Sequence, residues 1–194
     1  MTLGVSYRLD DKAARAFLEQ LEARAQQLDP ALNAMGAHMV FSTQRNFERE
    51  RAPDGTPWKA LSPRTANKRA GRGRRGHAHI LRQSTRLYRS IAYEINGSSF
   101  EWGSNLVYSR IHQLGGQINM PARQGTVSLK SIRKKGGGMR TRFAKRGSRG
   151  AQDRDVSIRA HTVTIPARPY LGVSDADRQR LTEIATAHLT GDEA

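Results

Sequence analysis

Apolar residues recur with a helical period at the start of the chain. Ala14, Phe17, Leu18, Leu21, Ala25 and Leu28 fall at i, i+3, i+4 and i+7 spacings, which predicts an amphipathic helix over Asp10–Leu28. Asp29-Pro30 ends it and opens a second, with Asp29 as cap and proline at the first helical position. That helix runs to about Arg51 and turns Leu32, Met35, Met39, Val40 and Phe47 inward. Ala52-Pro53-Asp54-Gly55-Thr56-Pro57-Trp58 reads as a stiffened turn with Trp58 as its buried anchor. Ser62-Pro63 starts a short helix that ends near Ala70. Ser84 is the expected cap of another, carrying Leu87 and Ile91.

The period then changes from helical to alternating. Tyr93 and Ile95 flank Glu94, Asn96-Gly97 supplies a turn, and Phe100 and Trp102 flank Glu101, which predicts a hairpin. A short helix is expected over Leu106–Leu114, closed by Gly115-Gly116, then a strand over Gln117–Met120. Val156, Ile158, Val163 and Ile165 alternate again. Ser174 with Asp177 three residues on forms a capping box for a final helix with Leu181, Ile184, Ala185, His188 and Leu189 on one face. Arg123–Arg154 breaks the pattern, with Gly136-Gly137-Gly138, many cations and few large apolar residues (Val127, Leu129, Ile132, Met139, Phe143). It reads as a basic arm or long hairpin, weakly ordered alone, inserted before the last strand of a single domain spanning residues 1–194. The fold class is α+β, a small, mostly antiparallel sheet packed against helices.

Charge changes the picture more than composition does. The chain carries a net charge of +16 over 194 residues, and its acids gather at the two ends. From Gly55 to Tyr93 there are ten Lys and Arg and no acid; from Trp102 to Gln152 there is again no acid, and ten cations lie between Arg123 and Arg149. Such separation points to a polyanion, most simply nucleic acid bound without regard to sequence. The chain shows no helix-turn-helix, zinc finger or aromatic RNA-binding motif to read bases. Lys130, Arg133, Lys134, Lys135, Arg140, Arg142, Lys145 and Arg146 are the expected contacts to passing DNA. There is no cysteine, hence no disulfide and no thiol chemistry. The amino-terminal stretch does not read as a signal peptide, and no window approaches the ~18 apolar residues of a membrane span.

Catalytic patterns are scarce. The six histidines form no H-E-x-x-H array, and His77-Ala78-His79 sits among arginines that would repel a metal ion. Gly71-Arg72-Gly73-Arg74-Arg75-Gly76 matches G-x-G-x-x-G in letters only, because it follows a helix rather than a strand. No enzyme activity, metal or cofactor is expected. His112 stands out because Tyr108 lies four residues before it and shares its helical face. Two roles fit it: a subunit contact, or a packed histidine fastening the helix.

Several segments then act together. They are Pro53-Asp54-Gly55 with Trp58 and Leu61; Thr65 and Lys68; Ile80-Leu81, Leu87 and Ser90-Ile91; Gly103-Ser104-Asn105 leading to Tyr108 and His112-Gln113 with Gly115-Gly116; and Ile165-Pro166-Ala167-Arg168-Pro169-Tyr170-Leu171-Gly172. In this order and spacing they resemble the phage virion morphogenesis family, the tail-completion proteins of Mu-like and related tailed phages, from about Phe47 to Leu189. The chain departs from many relatives at Ser109, where a small residue such as Ala is usual, and near Thr85-Arg86, where a Gly is common. The resemblance implies a structural protein of the virion, made in the host cytoplasm and placed at the head–tail joint. It implies a ring, commonly six-fold, between the tail tube or tail terminator and the head connector. Trp58, Tyr108, His112, Gln113, Arg168 and Tyr170 are the expected interface. Pro166 and Pro169 preset Arg168 in an extended segment, ready either to meet a carboxylate of a neighbouring subunit or to pin the last strand to the last helix. The alternative of another class is a free, sequence-independent nucleic-acid-binding protein.

Overall fold

The computed structural model describes residues 11–70, 79–133 and 136–191. The chain divides into two units, a body (Met1–Leu114 with Pro166–Ala194) and an inserted unit (Gly115–Ile165).

In the body, the first helix, α1 (Lys12–Ala25), buries none of its side chains. Its helical period is present, but Phe17 and Leu18 are 50% and 62% exposed, so much of the stripe expected to face a core faces outward. Polar contacts tie α1 to the last helix, α6 (Asp175–Thr190): Arg24 Nη1 donates to the Leu189 carbonyl at 3.0 Å, and His188 Nε2 lies 3.1 Å from the Arg24 carbonyl. The second helix, α2 (Asp29–Arg49), is capped by Leu28 without a side-chain bond. Asp29 is therefore not the cap; it sits in the first turn with Pro30, where its carbonyl takes up Asn33 Nδ2. Leu32, Met39 and Phe47 are buried as the spacing predicts, and Met35 and Val40 are half-buried. Gly36 is buried on the same face because the ring of Tyr93 occupies the space a Cβ would need.

Phe47 is the centre of the core. Trp58 and Tyr88 meet its ring edge-on at 5.6 and 6.0 Å, and Tyr170 lies against it at 4.9 Å. Aromatic pairs of this kind contribute about 0.5–1.5 kcal/mol each beyond their buried area. Ala52, Ile80, Leu87 and Ile91 complete the cluster. Leu87 lies on a short helix, α4 (Arg86–Arg89), and another short helix, α3 (Pro63–Ala70), precedes it in the chain. Ser62 Oγ accepts the Thr65 N–H at the start of α3. The residue before α4 is Thr85 rather than Ser84; it makes no side-chain cap bond and adopts a left-handed conformation, φ 55°. A β-branched residue is strained there, whereas glycine is not. The hairpin is β1 (Ala92–Asn96) with β2 (Ser99–Gly103), turned at Gly97, φ 60°, and packed on α2. Helix α5 (Ser109–Leu114) begins three residues later than the apolar pattern predicts.

The inserted unit is all strand and turn among its described residues. β3 (Gly116–Met120) pairs with β7 (His161–Ile165), and β4 (Arg123–Arg133) pairs with β6 (Ala151–Ile158) and with β5 (Met139–Phe143), all antiparallel. The single small sheet expected from the pattern is thus three separate antiparallel sheets, one of them in the body. Gly116↔Ile165 and Arg123↔Ile158 obey one register, so β3-β4 and β6-β7 form a continuous ribbon. Its pairing lapses only at Pro121-Ala122 opposite Arg159-Ala160, where Pro121 has no N–H to donate. At ~3.4 Å per residue, the paired path from Gly116 to Lys130 is about 50 Å when extended. Gly137 and Gly138, φ 85° and 78°, make the reversal into β5. Much of Arg123–Arg154, expected to be weakly ordered alone, therefore falls in β4, β5 and β6, whose partner strands take up its backbone groups.

Candidate assembly site

The Pro166–Gly172 segment is threaded between α5 and the chain around Trp58, and its hydrogen bonds concentrate on Arg168–Leu171. The Arg168 N–H donates to the His112 carbonyl at 2.8 Å. Arg168 Nε and Nη2 both donate to the Lys59 carbonyl, at 3.1 and 3.0 Å. Trp58 Nε1 donates to the Pro169 carbonyl at 2.7 Å, and Asn46 Nδ2 to that of Tyr170 at 3.1 Å. Gln113 is a two-way clamp. Its Oε1 accepts the N–H groups of Tyr170 and Leu171 at 2.9 and 3.0 Å, and its Nε2 donates to the Leu171 carbonyl at 2.9 Å. The Tyr170 hydroxyl donates to the Ser109 carbonyl at 3.1 Å.

Three of the six expected interface residues are consequently internal. Trp58, Arg168 and Tyr170 are 6%, 7% and 1% exposed. The Arg168 guanidinium is engaged within the chain by the Lys59 carbonyl, which lies in neither the last strand nor the last helix. Gln113 is half-buried and committed as well, whereas Tyr108, 39% exposed, and half-buried His112 remain at the surface. Their rings meet edge-on at 5.9 Å, as the four-residue spacing predicts. Asn46, Lys59 and Glu50 belong to the same frame, and nothing in the sequence marked them. Glu50 closes α2 in a left-handed conformation, φ 53°, and its carboxylate accepts the Ile80 N–H at 2.9 Å.

The electrostatics of this corner are one-sided. Burial, then the neighbouring cations Arg168 and Arg69, push the His112 pKa down, so the ring is neutral at pH 7. Burial and Arg69 also lower the Arg168 pKa, with Glu50 opposing them. His112 Nδ1 is buried with no hydrogen-bond partner among the described residues.

The inserted unit holds twelve Lys and Arg against two Asp, a net +10 of the chain's +16. Register sorts its side chains. Paired residues share a face, so Lys130 with Arg142 and Ile132 with Arg140 lie on one side, together with Asp153 and Asp155. Val127, Leu129, Phe143, Met139 and Val156 lie on the other, and Phe143 and Met139 are 78% and 65% exposed. Arg123, Arg133 and Arg154 fall on this second side among the apolar residues, and the two acids on the first, which the expectation of a uniformly basic arm had not separated. Lys145 and Arg146 follow β5 in exposed turns, with Arg146 paired to Asp153 at 3.2 Å. Lys134, Lys135 and the Gly71–Gly76 run lie outside the described residues.

Among the described residues, no three His, Asp or Glu side chains converge on a point where a metal could sit, and no helix is long and apolar enough to cross a membrane. The fold is thus a body of helices and one hairpin with an inserted cationic ribbon. The chain belongs to the phage virion morphogenesis family, whose model matches residues 9–190. Comparison with the curated proteins and with the solved structures finds no match. The protein is therefore a bacteriophage protein of virion morphogenesis.

Proposed function

We propose that the protein completes the tail and joins it to the head connector, as one subunit of a ring around the DNA path in the phage neck. The observation that carries this reading is the partition of charge. The ribbon holds most of the net charge on a strand-built element whose two faces both carry cations, Lys130, Arg140 and Arg142 on one and Arg123, Arg133 and Arg154 on the other. Cations on both faces suit an element that runs beside a phosphate backbone. DNA sliding through a neck needs attraction without sequence readout, which such cations supply.

The test is the combined replacement of Arg140, Arg142, Lys145 and Arg146 by Ala. We expect assembly mass to stay as in the parent protein. The log–log salt dependence of DNA binding should become shallower by roughly 0.9 for each phosphate that is no longer neutralised. Unchanged DNA binding would remove the ribbon from the DNA path. DNA binding by a parent protein that never assembles would favour the free nucleic-acid-binding reading instead.

A further inference from the structure

We propose that the cavity beside α5 receives the carboxylate of Glu22 from a second copy of this chain; this rests on the ring reading above. The cavity measures about 190 Å³, and its walls include Arg69, Leu87, Tyr108 and His112. It is smaller than the ~300–1,000 Å³ of small-molecule pockets, and it suits a single inserted side chain.

Its chemistry lacks an anion. Arg69 lines it, His112 Nδ1 has no partner among the described residues, and Arg168 lies close enough to act on His112. Arg168 is buried and forms none of the ion pairs among the described residues; its guanidinium rests on the neutral Lys59 carbonyl. Glu50, the carboxylate that favours its charge, is already engaged with Ile80 and His79. A buried cation without a counterion is costly, and an incoming carboxylate would offset it while accepting from His112 Nδ1–H. The stretches that supply its walls, residues 69–87 and 108–112, contain no acid.

Helix α1 of another copy has the complementary surface. Glu22 is exposed and forms none of the ion pairs among the described residues. It stands one helical turn beyond Leu18, so the two share a face with Phe17 beside them. Phe17 and Leu18 are uncovered, and so are Val107 and Leu114, 100% and 63% exposed, at the two ends of the segment bearing Tyr108 and His112. Docking α1 there covers two apolar surfaces at once and pairs opposite charges. The contact uses different surfaces on the two copies, which is the head-to-tail kind that closes rings.

Charge exchange tests it. Arg69→Glu and Glu22→Arg should each weaken self-association at least tenfold by analytical ultracentrifugation, and the double variant should recover most of it. Thermal midpoints identify any folding defect in Arg69→Glu; Glu22 is exposed on a helix, so its variant reports on assembly alone. If both single variants assemble like a ring-forming parent, or if the double variant recovers nothing, the pairing is wrong while the ring stands. A parent protein that stays monomeric up to high concentration overturns both.

Discussion

Gln113 ties α5 to the Pro166–Gly172 segment. One amide side chain satisfies two N–H groups and one carbonyl of the Tyr170-Leu171 backbone. Gln113→Ala leaves these groups half-buried and unpaired, at about 1–3 kcal/mol for each buried group and less where water enters. We expect a net loss of about 2–4 kcal/mol, read by denaturant unfolding. Gln113→Glu keeps the acceptor and loses the donor, so its loss should be smaller; equal losses would show that the acceptor contributes nothing. The sequence made part of this corner legible. Two prolines around Arg168 announce a fixed arginine, and the Tyr108–His112 spacing announces a shared face. The partner of that arginine was not legible, because it is the backbone carbonyl of Lys59, an atom every residue carries. A residue's type gives what it can bond, and the fold decides what lies within reach.

At the scale of elements, the amino-terminal end of α6 is the clearest case of local sequence deciding local structure. Ser174 and Asp177 form the capping box their spacing predicts, with Ser174 Oγ accepting the Asp177 N–H at 3.1 Å and Asp177 Oδ2 accepting the Ser174 N–H at 3.0 Å. Burial alone would raise the Asp177 pKa, but hydrogen bonds from Ser174, Ser42 and His38 outweigh it and hold the carboxylate below its ordinary 3.8. A carboxylate with a lowered folded pKa adds stability that is fully present above its unfolded value and is lost as pH falls through the folded one. The protein should therefore lose part of its stability below about pH 4. Asp177→Asn should be less stable at neutral pH and should lack that part of the acid dependence; parallel pH curves for the two would contradict the assignment. Periodicity told less elsewhere. It located α1 but not what covers it, since a stripe of Phe17, Leu18 and Leu21 looks the same whether its partner is in the same chain or another. In the ribbon the strands were hidden because their alternation pairs apolar residues with cations on an exposed element, and because β4 meets two partners, β5 next along the chain and β6 beyond it.

For the whole molecule, the charge partition that drew attention in the sequence coincides with an architectural one. A ribbon of strands carries +10, and the body carries the aromatic core and the threaded Pro166–Gly172 segment. The order of helical and alternating periods gave the α+β class, and the family match across residues 9–190 gives virion morphogenesis as its setting. The central claim, that this protein joins tail to head, is tested most directly by negative-stain electron microscopy of lysates from a phage lacking the gene. DNA-filled heads lying apart from finished tails are the predicted result, with normal tail length marking completion and overlong tails marking termination of the tube. Intact, infectious particles in that lysate would contradict the account.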